Sequence, residues 1–195
     1  MNNIERRTLQ VEFRADNKAG KLRGVAAVFN SLSEDLGGFR EQIAPGAFSS
    51  AISTSDVRAL VNHDPNLVLG RTAAGTLRLQ ETDAGLEFEL DLPDTTYARD
   101  LVACMQRGDI NQCSFGFSIG TDGDSWTRDK VTESWTRTIN NVARLYDVSP
   151  VTYPAYADTA CALRSLEQVQ QTTPPAYDEY ALEQMKLSIE IAEAE

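Results

Sequence analysis

The sequence is poor in residues that staple, anchor or chelate. Its three cysteines, Cys104, Cys113 and Cys161, are too few and too odd in number for a disulfide framework. Free thiols in a reducing cytoplasm are expected instead. A single histidine and no C-x-x-C leave no set of ligands for structural zinc. No apolar run approaches the ~20 residues that cross a bilayer, and residues 1–7 lack the apolar stretch of a signal peptide. Positive charge is scarce, with 18 Lys and Arg against 29 Asp and Glu, for a net charge of -11. A general nucleic-acid binder carries a basic footprint that is missing here, so neither nucleic acid nor membrane is expected as a partner. What is present is ordinary for a globular domain: 195 residues, 42% hydrophobic and 24% charged.

Over most of the first 150 residues the pattern predicts short strands divided by turns. In residues 8–14, Leu9, Val11 and Phe13 alternate with Gln10, Glu12 and Arg14, which marks a half-buried strand. A turn at residues 16–20 leads to a strand over 22–30, and the two should pair as a hairpin. Further strands are predicted near 57–62, 67–72, 76–80, 85–92, 112–120, 134–140 and 142–149. Two helices interrupt them. Pro45 suits the first turn of a short one, because its missing N–H has no helical partner there. The other starts at Asp94 or Thr95, carries Ala98, Leu101, Val102 and Met105 on one face, and stops at Gly108. The domain is expected to span 1–165, followed by a Gln/Thr/Pro linker over 166–176 and an acidic amphipathic helix over 177–195. In that last segment Leu182, Met185, Ile189 and Ala192 form a coiled-coil-like seam. It reads equally as a helix packed on its own domain and as a docking or oligomerising arm.

Three places carry side chains able to do chemistry. His63, the lone histidine, lies where a predicted strand turns. Imidazole takes and gives protons near neutrality, though a solvated turn histidine fits the position too. Residues 112–119 alternate strictly: Cys113, Phe115, Phe117 and Ile119 make one face, and Ser114, Gly116 and Ser118 the other. A face of such small groups leaves room for a substrate backbone above Ser114, or for a neighbouring element packed on it. Cys113 is a rival nucleophile, turned toward the core by the same alternation. Asp147 shares a predicted strand face with Leu145. Its charge calls for a partner, either a histidine whose tautomer it fixes or a cation such as Arg144. Asp64 suits the first role less well, since neighbouring strand residues point apart.

An ordered series of segments resembles the prohead (procapsid) maturation proteases of tailed bacteriophages, the HK97 type. The series runs through Gly24-Val25-Ala26-Ala27-Val28-Phe29-Asn30, the block from Phe39 to Phe48, Asn62-His63-Asp64, and Leu69-Gly70-Arg71-Thr72. It continues with Gly75-Thr76-Leu77-Arg78-Leu79, Gly85-Leu86, Arg107-Gly108-Asp109-Ile110, Ser114-Phe115-Gly116-Phe117, Asp147-Val148-Ser149 and Pro154-Ala155-Tyr156. The resemblance implies an α+β, mainly β fold: an antiparallel barrel of the herpesvirus assemblin type with a few flanking helices and a C-terminal helical arm. It implies a serine endopeptidase with Ser114 as nucleophile, His63 as base and Asp147 as third member, where the family more often has Glu. It implies no metal and no organic cofactor. Backbone N–H groups of a loop near the site are expected to hold the oxyanion, with Arg71 or Arg144 assisting. The implied substrate is the scaffolding segment of the major capsid protein, together with the protease itself, inside the procapsid in the host cytoplasm. A homo-oligomer through the C-terminal helix is also expected. The alternative is a non-catalytic capsid assembly or scaffold protein on the same fold. An esterase is a further rival, but the α/β-hydrolase kind is disfavoured by the lack of a G-x-S-x-G elbow.

Overall fold

The alternation at residues 8–14 is shared between two sheets instead of one strand. In the structure, a computed structural model describing residues 4–16, 20–153 and 160–172, β1 (Glu5–Gln10) pairs antiparallel with β9 (Gln112–Ile119). The chain then leaves that sheet. Val11 donates its N–H to Asn111 O, and β2 (Arg14–Asp16) joins β3 (Lys21–Val28) in the expected hairpin. Leu9, Val11 and Phe13 still pack on the core, so one apolar stripe serves two pairing partners.

After β3 come β4 (Phe39–Ile43), helix α1 (Ser49–Thr54), β5 (Arg58–Val61), β6 (Asp64–Arg71), β7 (Leu77–Glu81) and β8 (Gly85–Asp91). Then follow α2 (Thr96–Arg107), β9, β10 (Asp124–Arg128), β11 (Trp135–Ile139), β12 (Val142–Val151) and α3 (Ala160–Thr172). The strands form three sheets, ordered β1-β9-β12-β5-β6, β2-β3-β8-β7 and β10-β11-β4. The mainly β, α+β class is as expected. The barrel is not seen as one closed sheet, and two pairings, β5 with β12 and β4 with β11, are parallel where an antiparallel barrel was expected. Strands β4 and β10 had not been predicted. Their side chains alternate less clearly, and the three-stranded sheet depends on partners far along the chain.

The five- and four-stranded sheets close over a shared core that includes Leu22, Phe48, Leu86, Phe88, Phe115 and Phe117. Fully burying such a side chain stabilises by about 1.5–3 kcal/mol. The three-stranded sheet is tied on by charge. Arg7 and Glu5 of β1 meet Glu41 of β4 and Arg137 of β11 in a buried network, and Asp124 of β10 completes it with a 2.6 Å bond from Arg137. Phe39, Trp126 and Trp135 stand on the same face of that sheet as Glu41 and Arg137, and the Trp126 ring packs against the Arg137 guanidinium.

Helix α2 begins after Thr95 and ends at Gly108, whose φ of 82° supplies the left-handed stop. Helix α1 differs from expectation. Gly46 is left-handed at φ 86°, so Pro45 lies in a turn and the helix starts only at Ser49. Glu81 accepts hydrogen bonds from the Phe48 N–H and the Ser49 hydroxyl at that end. The chain divides into two units, Met1–Cys161 and Ala162–Glu195. Helix α3 runs through residues 166–172, where a linker was expected; the step-of-three series Leu163, Leu166 and Val169 is its sequence signal. The remaining linker residues and the predicted helix over 177–195 lie outside the described residues. No described helix is long and apolar enough to cross a membrane.

Candidate active site

His63 stands at the tip of a hairpin with a two-residue loop. Val61 pairs with Asp64, leaving Asn62 and His63 as the central residues at φ 52° and 58°. Positive φ at both positions is the signature of the primed turn that matches strand twist. Asn and His are among the side chains that enter the left-handed region most readily, and the remaining cost is met by the surroundings. The surroundings are specific. Asn62 donates its N–H to Pro150 O at 2.9 Å, and its side-chain oxygen accepts the Thr152 N–H at 2.8 Å. The hairpin tip is thereby tied to the end of β12, and the imidazole is carried over the sheet.

Ser114 lies on β9, with Ser149 of β12 opposite it on one side and Thr8 of β1 on the other. The His63 imidazole bridges the two expected partners. Its Nε2 is 2.8 Å from Ser114 Oγ, and its Nδ1 is 2.5 Å from Asp147 Oδ1. An ionised carboxylate only accepts, so Nδ1 carries the proton and Nε2 is left to accept from the serine hydroxyl. Ser149 Oγ also donates to Asp147 Oδ1, at 2.7 Å. The carboxylate is therefore held from two directions, and the alternative pairing with Arg144 is not formed. Asp64 instead accepts hydrogen bonds from Asn66.

Asp147 reaches this face through a bulge. Leu145 pairs with Phe117 and Val148 with Phe115, both in the core, while Asp147 pairs with Gly116. The extra residue between Leu145 and Asp147 flips the alternation, so these two do not share a face as predicted. Bulges commonly re-aim side chains in this way. The small face of β9 also differs from expectation. It is not an open floor: Ser114 is 0% exposed, and the Asp147 carboxylate lies over Gly116.

Cys113 is fully buried, and that burial pushes its thiol up to about 12, which removes it as a nucleophile near neutrality. Cys104 is partly buried on α2, and the side chain of Cys161 lies outside the described residues. Arg71 is committed to Asp56 and so is not free for an oxyanion; Arg144 stacks on Tyr146 at 4.7 Å without a carboxylate partner. Among the described residues no three His, Cys, Asp or Glu side chains converge as metal ligands. A groove of about 970 Å³ along β3, β7 and β8 contains none of His63, Ser114 or Asp147. Sequence reasoning gave Ser149 and Asn62 no roles and read Gly116 only as part of a small face above which a substrate or a neighbouring element could lie, although all three stand in the quoted segments.

The chain is 30% identical over 166 residues to the prohead protease of Enterobacteria phage HK97, covering 83% of this chain and 68% of that protein. No solved structure matches it significantly. Residues 4–173 match the family described as caudovirus prohead serine protease, a span that holds every strand above, and the chain belongs to that family of serine proteases.

Proposed function

We propose that this prohead serine protease cleaves the scaffolding segment of a phage major capsid protein, and itself, through an acyl-enzyme on Ser114. The observation that carries the reading is the unbroken hydrogen-bond chain Ser114–His63–Asp147. Ser114 Oγ attacks the scissile carbonyl as His63 Nε2 takes its proton. The tetrahedral intermediate collapses, the C–N bond breaks, and the imidazolium passes that proton to the leaving amine. Water then attacks the ester, with His63 again the base, and releases the new carboxyl terminus. Asp147 holds the Nδ1–H tautomer and stabilises the imidazolium. Acid–base work of this kind contributes roughly a hundred- to ten-thousand-fold. Because Ser114 is fully buried, the substrate must displace the groups over it before attack.

The same reading takes the facing sheets as an assemblin-type scaffold, places the enzyme within the procapsid, and uses the seam at 182–192 as a docking or oligomerising arm. The test is co-expression with the capsid protein, comparing wild type with Ser114→Ala by fragment mass. The expected result is a capsid protein shortened only by wild type, with assembly retained in both. Equal masses would return the chain to a non-catalytic assembly role, and a truncation ending at Ala176 that is still packaged would end the docking idea.

A further inference from the structure

Most cations whose side chains are described lie within ion-pair distance of a carboxylate. Among the described residues Arg6, Arg40, Lys130 and Arg144 do not. Two of these four stand on the sheet face that presents Ser114. Arg6 is the register partner of Gly116, and Arg144 that of Ser118, so both share the face of the Ser114-Gly116-Ser118 row. They flank it from opposite sides, Arg6 on β1 and Arg144 on β12. Arg6 Nε is withdrawn from water and has no acceptor. A buried donor without an acceptor is a standing cost that native structures seldom carry without a reason. The Arg144 guanidinium lies over the Tyr146 ring at 4.7 Å from its centroid, a contact that does not neutralise its charge. The Asp147 carboxylate on this face is already spent on His63 and Ser149. In a chain of net charge -11, two of the four described cations without a carboxylate at ion-pair distance thus share the sheet face of the serine.

We propose that Arg6 and Arg144 form a subsite for acidic side chains of the protein substrate. The inference rests on the hydrolase reading above and adds the substrate chemistry to it. Strand rise is about 3.3–3.4 Å per residue, so the Arg6 row lies about 7 Å and the Arg144 row about 14 Å from Ser114 along β9. An extended peptide with its scissile carbonyl at Ser114 passes these guanidinium groups about two and four residues from the cut, both on one side of it. Guanidinium groups pair with carboxylates through parallel N–H donors, which gives geometric selectivity as well as charge. Arg6 and Arg144 are thus specificity-determining residues, separate from the Ser114–His63–Asp147 chemistry.

The test is cleavage-site profiling of a proteome-derived peptide library by the purified full chain, read by mass spectrometry. Wild type should show Asp and Glu enriched within about four residues on one side of the cut. Arg6→Gln and Arg144→Gln should each lower that enrichment about tenfold, as for loss of one charge-assisted hydrogen bond, while cleavage of peptides without acids is unchanged. Arg6→Lys should retain part of it, and Arg40→Gln, which removes an exposed cation elsewhere, should leave it intact. Cleavage by wild type with no acidic enrichment would overturn the subsite alone, as would an unaltered profile in both glutamine variants when circular dichroism shows them folded. No Ser114-dependent cleavage of any peptide would overturn the hydrolase reading and the subsite with it.

Discussion

Gly116 and Asp147 are register partners on β9 and β12, and a methyl group on Gly116 would stand 2.7 Å from Asp147 Oδ2. The absent side chain is what lets the carboxylate lie flat across the strand and reach His63. Gly116→Ala must therefore push Asp147 aside while leaving the core face of β9 untouched. The expected outcome is a folded protein with kcat reduced about a hundredfold or more, the scale seen when a catalytic group is misplaced by about 1 Å. Gly120→Ala, whose new methyl meets only Ala143 Cβ at 3.4 Å, should keep near wild-type kcat. Equal activity in the two variants would count against the fit between glycine and carboxylate.

Ser149 should matter through Asp147 and not through substrate. Ser149→Ala removes the 2.7 Å donor from a buried carboxylate. Hydrogen bonds to charged groups contribute about 1.5–3 kcal/mol, so a drop of about ten- to a hundredfold in kcat is expected, with KM little changed. Ser149→Thr, which keeps the hydroxyl, should recover part of it. A change confined to KM would show that Ser149 touches substrate instead.

The hairpin tip separates turn strain from tethering. Asn62→Ala places a residue poorly suited to φ 52° in the loop and also removes the contacts to Thr152. Asn62→Gly removes only the contacts. The alanine variant should be less stable than the glycine variant by about 1 kcal/mol. Both should lose activity, because the imidazole is no longer held to β12. Paired denaturant melts and peptidase assays would check this; equal stabilities would reject the strained-turn account.

Acid should weaken the fold before neutral pH does. Burial pushes the Glu5 carboxyl up, but the hydrogen bond and charge of Arg137 and the charge of Arg7 outweigh it and hold the group below its ordinary 4.5. On the surface, hydrogen bonds from Lys21, Arg78 and Arg23 hold Glu89 at about 2, and chiefly Arg78 holds Asp91 at about 2. For groups with lowered native values, the unfolded chain binds protons first as pH falls. The stabilisation is complete above about 4.5 and is lost as pH drops toward the native values. Tm should hold from pH 7 to about 5 and fall between about 4.5 and 2. Arg137→Met should lower Tm throughout and flatten that slope; a flat wild-type profile through the acid range would contradict the assignment.

How much was legible beforehand depends on how local each determinant is. The alternation of residues 112–119 placed Ser114 and Cys113 on opposite faces, as found. The apolar stripe of α2 and its Gly108 stop were correct to within a residue or two, although the expected side-chain cap is not formed by Thr95. The Asp147 face was misjudged because a bulge has no reliable signature in one strand; it arises from the fit to Phe117 and Phe115 on the neighbour. Residues 8–14 were read as one strand because periodicity reports burial and says nothing about which sheet supplies the hydrogen bonds.

By itself the sequence determined the apolar stripes, the turn at the lone histidine and the ordered segments that carry the family resemblance, since each depends on neighbours within a few residues. Only the tertiary structure decided that β1, β9, β12 and the β5–β6 hairpin lie side by side. Their pairings join residues as far apart as Thr8 and Ser114, or His63 and Asp147. Strand order is chosen by collective burial and backbone hydrogen bonding across the whole chain, and no short window of sequence contains those partners.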